Sequence, residues 1–174
     1  MPAAPIKTEA FLSSLPLFKE LGEDEIRRLA AGTQAVRAER GEMLFHRGDA
    51  ALGFHAIVYG QVKLFFTSPR GDEKVVDIVS QGQTFGEAVM FLERPHVVSA
   101  QTLADSMLLY IGRQALFAEL ERDPQFARRI IGGMARRLRQ LMGDVENYSL
   151  HSGTQRVIGY LLRDSEGGEG VGVP

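Results

Sequence analysis

Apolar residues cluster tightly at the start of the chain: Phe11, Leu12 and Leu15, then Leu17, Phe18 and Leu21, with Pro16 between them. Proline interrupts a helix, so the spacing predicts short helices broken at Pro16. A further helix bearing Ile26, Leu29 and Ala30 follows, capped by Glu23 or Asp24. Its plain reading is a packing lid. From Thr33 to Tyr110 the pattern changes. Short apolar runs recur at Met43–Phe45, Phe54–Tyr59, Val62–Phe66, Val75–Val79, Val97–Leu103 and Met107–Ile111. Between them stand Arg40-Gly41, Arg47-Gly48-Asp49, Tyr59-Gly60, Pro69-Arg70-Gly71-Asp72 and Gln81-Gly82. Closely spaced strands with glycine turns predict an antiparallel sandwich or barrel, with a hairpin turn at Pro69–Asp72.

Helical spacing returns after Gly112. A short helix over Ala115–Leu120 leads to a long one, with Asp123 as N-cap and Pro124 at the first helical position. Ala127, Ile131, Met134, Leu138, Leu141, Val145 and Tyr148 alternate four and three residues apart, the a/d seam of a coiled coil. That narrow seam favours self-association over a helix whose stripe lies on its own core. Gly132 and Gly133 each cost about 1 kcal/mol in a helix interior, so close packing is expected there. A last helix runs from Thr154 to Arg163 and gives way to a glycine-rich stretch. The expected organisation is α+β: N-terminal helices over 1–32, a β-roll over 33–111, the short helix and dimerisation helix over 112–151, and the start of another domain over 152–174.

Composition narrows the class. Hydrophobic content of 44% beside 24% charged residues suits a globular chain with a real core. A net charge of −2 argues against a nucleic-acid-binding surface in these residues. The absence of cysteine excludes disulfides and cysteine-held metal or iron–sulfur sites, and it suits a cytoplasmic setting. The N-terminus does not read as a secretory signal, and no apolar run is long enough for a membrane helix.

The chemistry concentrates between Gly82 and Ala100. Gly82 and Gly86 allow close backbone approach, Glu87 follows directly, and an apolar run leads to a tip at Arg94-Pro95. Such a segment between strands reads as a ligand cradle. Together with Leu15-Pro16-Leu17-Phe18, the turns at Gly41, Gly48-Asp49 and Gly60, Phe85-Gly86-Glu87, Met134–Leu138 and Gln155-Arg156-Val157, the chain resembles the CRP/FNR family of bacterial transcription regulators. The resemblance runs from about residue 10 to residue 163. It implies a cyclic-nucleotide-binding-like double-stranded β-helix (jelly roll), a homodimer joined by the long helix, and a DNA-binding domain of winged helix-turn-helix type that would follow Pro174. Such a regulator also meets RNA polymerase.

In cyclic-AMP-binding members an Arg-Ser pair holds the cyclic phosphate and a Thr-Ser pair on the dimer helix meets the adenine. Here Val97-Val98 and Leu141-Met142 occupy those places, and valine cannot replace a bidentate arginine. Arg94 stands nearby at the tip. The sequence Gly86-Glu87-Ala88-Val89-Met90-Phe91 is similar to the cassette of DNR-like denitrification regulators, which implies nitric oxide sensing through haem. The expected effector pocket is therefore Gly86, Glu87, Ala88, Met90, Val97, Val98, Leu141 and Met142. The expected dimer interface is Ile131, Met134, Leu138, Leu141, Val145 and Tyr148. Glu87 reads equally well as a ribose-type ligand group or as a carboxylate satisfied by neighbouring backbone N–H groups.

A haem needs apolar walls and one axial ligand, for which His55, His96 and His151 are the candidates. His46 reads as a solvated strand-end residue, and Met90 and Met142 as core residues able to serve as axial groups. The alternative function is a cyclic-nucleotide-binding regulatory module with a non-standard phosphate site. No nucleophile–base order, metal-ligand spacing or paired acids converge, so an enzyme is not expected; Asp72 and Glu73 read as a solvated turn.

Overall fold

The computed structural model describes residues 7–150, with side chains through residue 139 and at Met142. Helix α1 spans Thr8–Ser14 and α2 spans Glu23–Ala31. The N-cap of α2 is Gly22, one residue before the expected acids. Its N–H donates to Oε2 of Glu25 at 2.6 Å, while Glu23 and Asp24 lie in the first turn, where negative charge suits the helix dipole. Leu12, Leu15 and Phe18 are fully buried.

Eight strands follow: β1 Thr33–Ala38, β2 Met43–Phe45, β3 Gly53–Tyr59, β4 Gln61–Thr67, β5 Glu73–Ser80, β6 Thr84–Phe85, β7 Ser99–Thr102 and β8 Ser106–Gly112. They form two antiparallel four-stranded sheets, ordered β1-β8-β3-β6 and β2-β7-β4-β5, packed as a roll. Phe45, Ile57, Val62, Phe85, Ala100 and Leu108 fill its interior from both sheets. The expected turn at Pro69–Asp72 joins β4 to β5, closed by the Ser68 N–H donating to the Asp72 carbonyl at 2.8 Å. Glu73, expected in a solvated turn, instead begins β5 and pairs with Lys63 across the hairpin.

Three strand expectations change. β1 carries one buried side chain, Ala38, so its edge position leaves little apolar signal. β6 is two residues long. The strand expected from Val97 begins only at Ser99, because the backbone of His96 is committed elsewhere. Its N–H donates to the Asp49 carbonyl at 2.9 Å and its carbonyl accepts from Gly48 N–H at 2.8 Å. Between β6 and β7 the chain forms a short helix, α3, over Glu87–Phe91.

After β8, α4 spans Arg113–Arg122 and α5 spans Pro124–Leu150. Asp123 caps α5 as expected, its Oδ1 accepting from Gln125 N–H at 2.8 Å. The chain divides into two compact units at Gly133/Met134, within α5. In the first unit Phe126 and Ile130 are buried, while Ile131 is 64% exposed. In the second, Leu138 is 61% exposed. The start of α5 thus has a face turned inward as well as an exposed apolar stripe.

The close packing expected at the glycine pair exists at Gly133 alone. A Cβ there would lie 2.5 Å from the Leu17 carbonyl oxygen, whereas Gly132 has nothing within 4 Å. Replacing Gly133 by Ala should therefore destabilise the protein by about 1–3 kcal/mol through overpacking. Gly132→Ala should be neutral or add up to about 1 kcal/mol from helix propensity. Thermal denaturation of the two variants separates the outcomes, and equal behaviour would contradict the packing at Leu17.

Candidate functional site

Gly86 links β6 to α3 with a φ of 90°, a left-handed conformation that glycine adopts without strain. A Cβ at this position would meet the His96 ring carbon Cε1 at 3.4 Å and the Phe54 Cβ at 3.7 Å. Both are ordinary van der Waals distances, so it is the left-handed backbone, and not space, that calls for glycine where the cassette turn meets β3 and its own returning tip. Glu87 is half-buried, and its Oε1 accepts a hydrogen bond from the Thr84 hydroxyl at 3.3 Å. Met90 is fully buried, whereas Ala88 and Arg94 are exposed. Val98 is half-buried and Val97 is 56% exposed, both in the bend before β7.

The remaining expected positions fall as follows. Met142 and His46 are exposed and Met134 is half-buried. The side chains of Leu141, Val145 and Tyr148, and the whole of His151, lie outside the described residues.

His55 and His96 meet in a cluster of flat rings inside the roll. The His96 ring stacks on Phe45, with centroids 3.6 Å apart and planes 10° apart. His55 stacks on Phe85 at 5.1 Å and 12°, and touches Tyr110 at 5.1 Å and Phe45 at 6.0 Å. Phe45 belongs to one sheet, while His55 and Phe85 belong to the other, so the rings join the two sheets beneath the cassette tip. Sequence reasoning named the histidines but not Phe45, Phe85 or Tyr110. The available signal was that Phe85 directly precedes Gly86.

Nδ1 of His55 is buried and has no hydrogen-bond partner among the described residues. Burial, reinforced by the neighbouring His96, pushes the His55 pKa down to about 4. Burial also lowers the His96 pKa, against a smaller upward pull from Asp49. A neutral imidazole in an apolar enclosure can coordinate a metal or accept a hydrogen bond, but it carries no charge near neutral pH. Among the described residues no group of three or more His, Cys, Asp or Glu gathers to hold a metal ion.

The tip is tied to the loop between β2 and β3. Besides the two His96 backbone bonds, the Arg47 N–H donates to the Ser99 hydroxyl at 3.0 Å. On the other side, the Phe91 ring of α3 stacks against Phe117 of α4 at 6.1 Å, and Glu93 pairs with Arg113 at 3.6 Å.

The depressed pKa of His55 makes stability depend on pH. The unfolded chain takes up this proton near 6.5 and the folded chain only near 4. Stability from this group is therefore complete above pH 6.5 and is lost as pH falls toward 4, by about 3 kcal/mol. His55→Phe should flatten that slope in chemical denaturation at pH 7 and pH 4.5, leaving the smaller part due to His96. An unchanged slope would show that His55 does not carry the effect.

Comparison with known proteins places this arrangement. The profile of the cyclic nucleotide-binding domain matches residues 35–123, from β1 to the start of α5. The cyclic AMP receptor protein of Thermus thermophilus is 28% identical over 148 residues, covering 85% of this chain and 68% of its own. A CRP-like cAMP-activated global transcriptional regulator of Mycobacterium tuberculosis is 25% identical over 155 residues, covering 89% of this chain and 69% of its own. The crystal structure of DNR from Pseudomonas aeruginosa superposes with a TM-score of 0.74 at 29% identity, covering 95% of this chain and 72% of that one. The sensor domain of the same regulator gives 0.67 at 29% identity, covering 82% of this chain and 95% of that one. A roll of two antiparallel sheets with a glycine-hinged cassette, matched by the profile over half of its length, shows that the chain belongs to the cyclic nucleotide-binding domain family, in its CRP/FNR branch.

Proposed function

We propose that this chain is the effector-sensing and dimerisation region of a cytoplasmic transcription regulator that responds to nitric oxide through haem rather than to cyclic AMP. It would act on DNA through a further C-terminal domain and through contact with RNA polymerase. The observation that carries the reading is the cassette end at Val97-Val98, an exposed and a half-buried valine, neither of which can grip a phosphate. The likeness to DNR over most of the chain supports the same choice.

The donor chemistry fits a haem. His55 or His96 would hold the iron, and Phe45 and Phe85 would supply apolar walls. Bound haem would supply an iron able to take up nitric oxide. The chain's part is to keep the imidazole neutral and to exclude water, which burial already achieves for His55. Because Phe45 covers His96 and Phe85 covers His55, binding requires these rings to part. Parting them moves the cassette tip, and Phe91 on Phe117 passes that movement to α4. A ligand preferring the parted state would shift the population toward it.

The second reading, a cyclic-nucleotide-responsive module with a different phosphate site, is favoured by relatives named as cyclic AMP receptors.

Titration of the purified chain with haem, with cyclic AMP alongside, decides between them. A stoichiometric Soret band that shifts with nitric oxide and is lost in His55→Ala or His96→Ala is the expected outcome. Heat from cyclic AMP without a Soret band would favour the second reading. The exposed stripe of Ile131 and Leu138 supports a homodimer. Leu138→Asp would bury an unpaired charge at that seam and should convert the dimer to a monomer by light scattering. An unchanged mass would remove the helix from the interface.

A further inference from the structure

The loop that clasps the cassette tip carries a charged side chain that the reading above leaves unused. Arg47 lies between His46 and the left-handed Gly48, whose φ is 96°. Its backbone is fixed from three directions. The Arg47 N–H donates to Ser99 Oγ at 3.0 Å, the Gly48 N–H donates to the His96 carbonyl at 2.8 Å, and the His46 N–H donates to Asp49 Oδ2 at 2.8 Å. The guanidinium sits over the ring of Phe66, 5.7 Å from its centroid. It takes part in none of the ion pairs among the described residues.

The surroundings of this pair are apolar and open. β4 and β7 run side by side up to Phe65 opposite Ser99, which places Phe66 just past the end of the ladder, at the side of the cassette where β7 begins. Phe66 and Val97 are exposed, Val98 and Leu64 half-buried. A solvated arginine over an exposed aromatic ring keeps N–H donors free for an anion, while the ring offers a flat apolar surface beside them. The combination suits one ligand chemistry: an anionic group attached to a flat apolar body. The arginine takes the anion in a charge-assisted, bidentate contact, and Phe66 takes the rings.

We infer that Arg47 and Phe66 form the anion-and-ring subsite of the effector pocket, binding an effector that carries a carboxylate or a phosphate beside a planar ring system. The inference rests on the reading that the effector binds at the cassette, and it adds a specificity-determining residue supplied from outside the cassette. The position is preorganised, since the hydrogen bonds that hold Arg47 are those that tie the loop to the cassette. A cassette that shifts on binding therefore carries its arginine with it.

Two fluorescent probes separate charge from shape: N-phenyl-1-naphthylamine, which is neutral, and 1-anilinonaphthalene-8-sulfonate, which presents similar rings with a fixed anion. Titrations use the intact chain, with Arg47→Gln and Phe66→Ala, and circular dichroism confirms that each variant folds. The expected result is that Arg47→Gln weakens the sulfonate about tenfold and leaves the neutral probe unchanged. Phe66→Ala should weaken both. Equal effects of Arg47→Gln on the two probes, or no sulfonate binding by the unaltered chain, would overturn the inference. Competition by cyclic AMP assigns the anion to a phosphate, and competition by protoporphyrin IX assigns it to a carboxylate. An arginine-dependent sulfonate site from which protoporphyrin IX is excluded would sink the haem reading while leaving this subsite standing.

Discussion

The arrangement depends on the left-handed backbone turn at Gly86. The turn out of β6 must pass between Phe54 on one side and the His96 ring on the other, and it does so with a positive φ. A residue with a side chain would find room beside His96 and Phe54 but would be strained in that backbone conformation. That left-handed turn lays the cassette on the roll, where two histidines and two phenylalanines meet in one cluster of rings. The rings join the two sheets beneath the cassette tip. Core packing and the candidate site are thus the same set of atoms, and a ligand entering here must compete with the protein's own rings.

Much of the fold was legible in the sequence, for a specific reason. β3, β4 and β8 carry their apolar residues to the interior between glycine turns, and Asp123-Pro124 announces α5 by capping chemistry. β1 escaped notice because an edge strand with one buried residue has almost no hydrophobic pattern. Val97 and Val98 look like strand residues by type. They are held out of the ladder by His96, whose backbone is spent on the neighbouring loop. Local propensity cannot register a hydrogen bond made to a residue almost fifty positions away.

The candidate site divides in the same way. Gly86 and Glu87 stand out through their neighbours, since a glycine–acid pair gains meaning only from the second glycine at Gly82, the apolar run and the Arg94-Pro95 tip around it. Phe45 and Phe85 read as ordinary core, and only the register of two sheets brings them to the histidines. Arg47 was absorbed into the turn Arg47-Gly48-Asp49, where polar residues are expected on the surface. What distinguishes it is contact with Ser99 and Phe66, both distant in sequence. Heptad spacing along α5 was visible too, but spacing alone does not separate a face packed on its own domain from one left exposed. Phe126, Ile130 and Gly133 follow the same three-and-four rhythm as the stripe beside them.

One atom of the ring cluster is left unsatisfied. The Nδ1 of His55 lies buried with no hydrogen-bond partner among the described residues. An unmet polar atom of this kind costs about 1–3 kcal/mol relative to a satisfied one. The closed cluster therefore retains a penalty, which on the proposed reading a ligand able to coordinate or hydrogen-bond that nitrogen would remove and a purely apolar one would not. The release has a packed route outward. Phe91 lies on Phe117 and Glu93 pairs with Arg113, joining the cassette to α4. Glu119 of α4 pairs with Arg28 of α2 at 2.8 Å, and Glu25 of α2 holds Arg129 of α5 at 2.6 Å. Glu25 and Glu119 are both buried, so these pairs resist being pulled apart singly. A displacement of the cassette is then more easily met by a concerted shift of α2, α4 and the start of α5 than by breaking either pair.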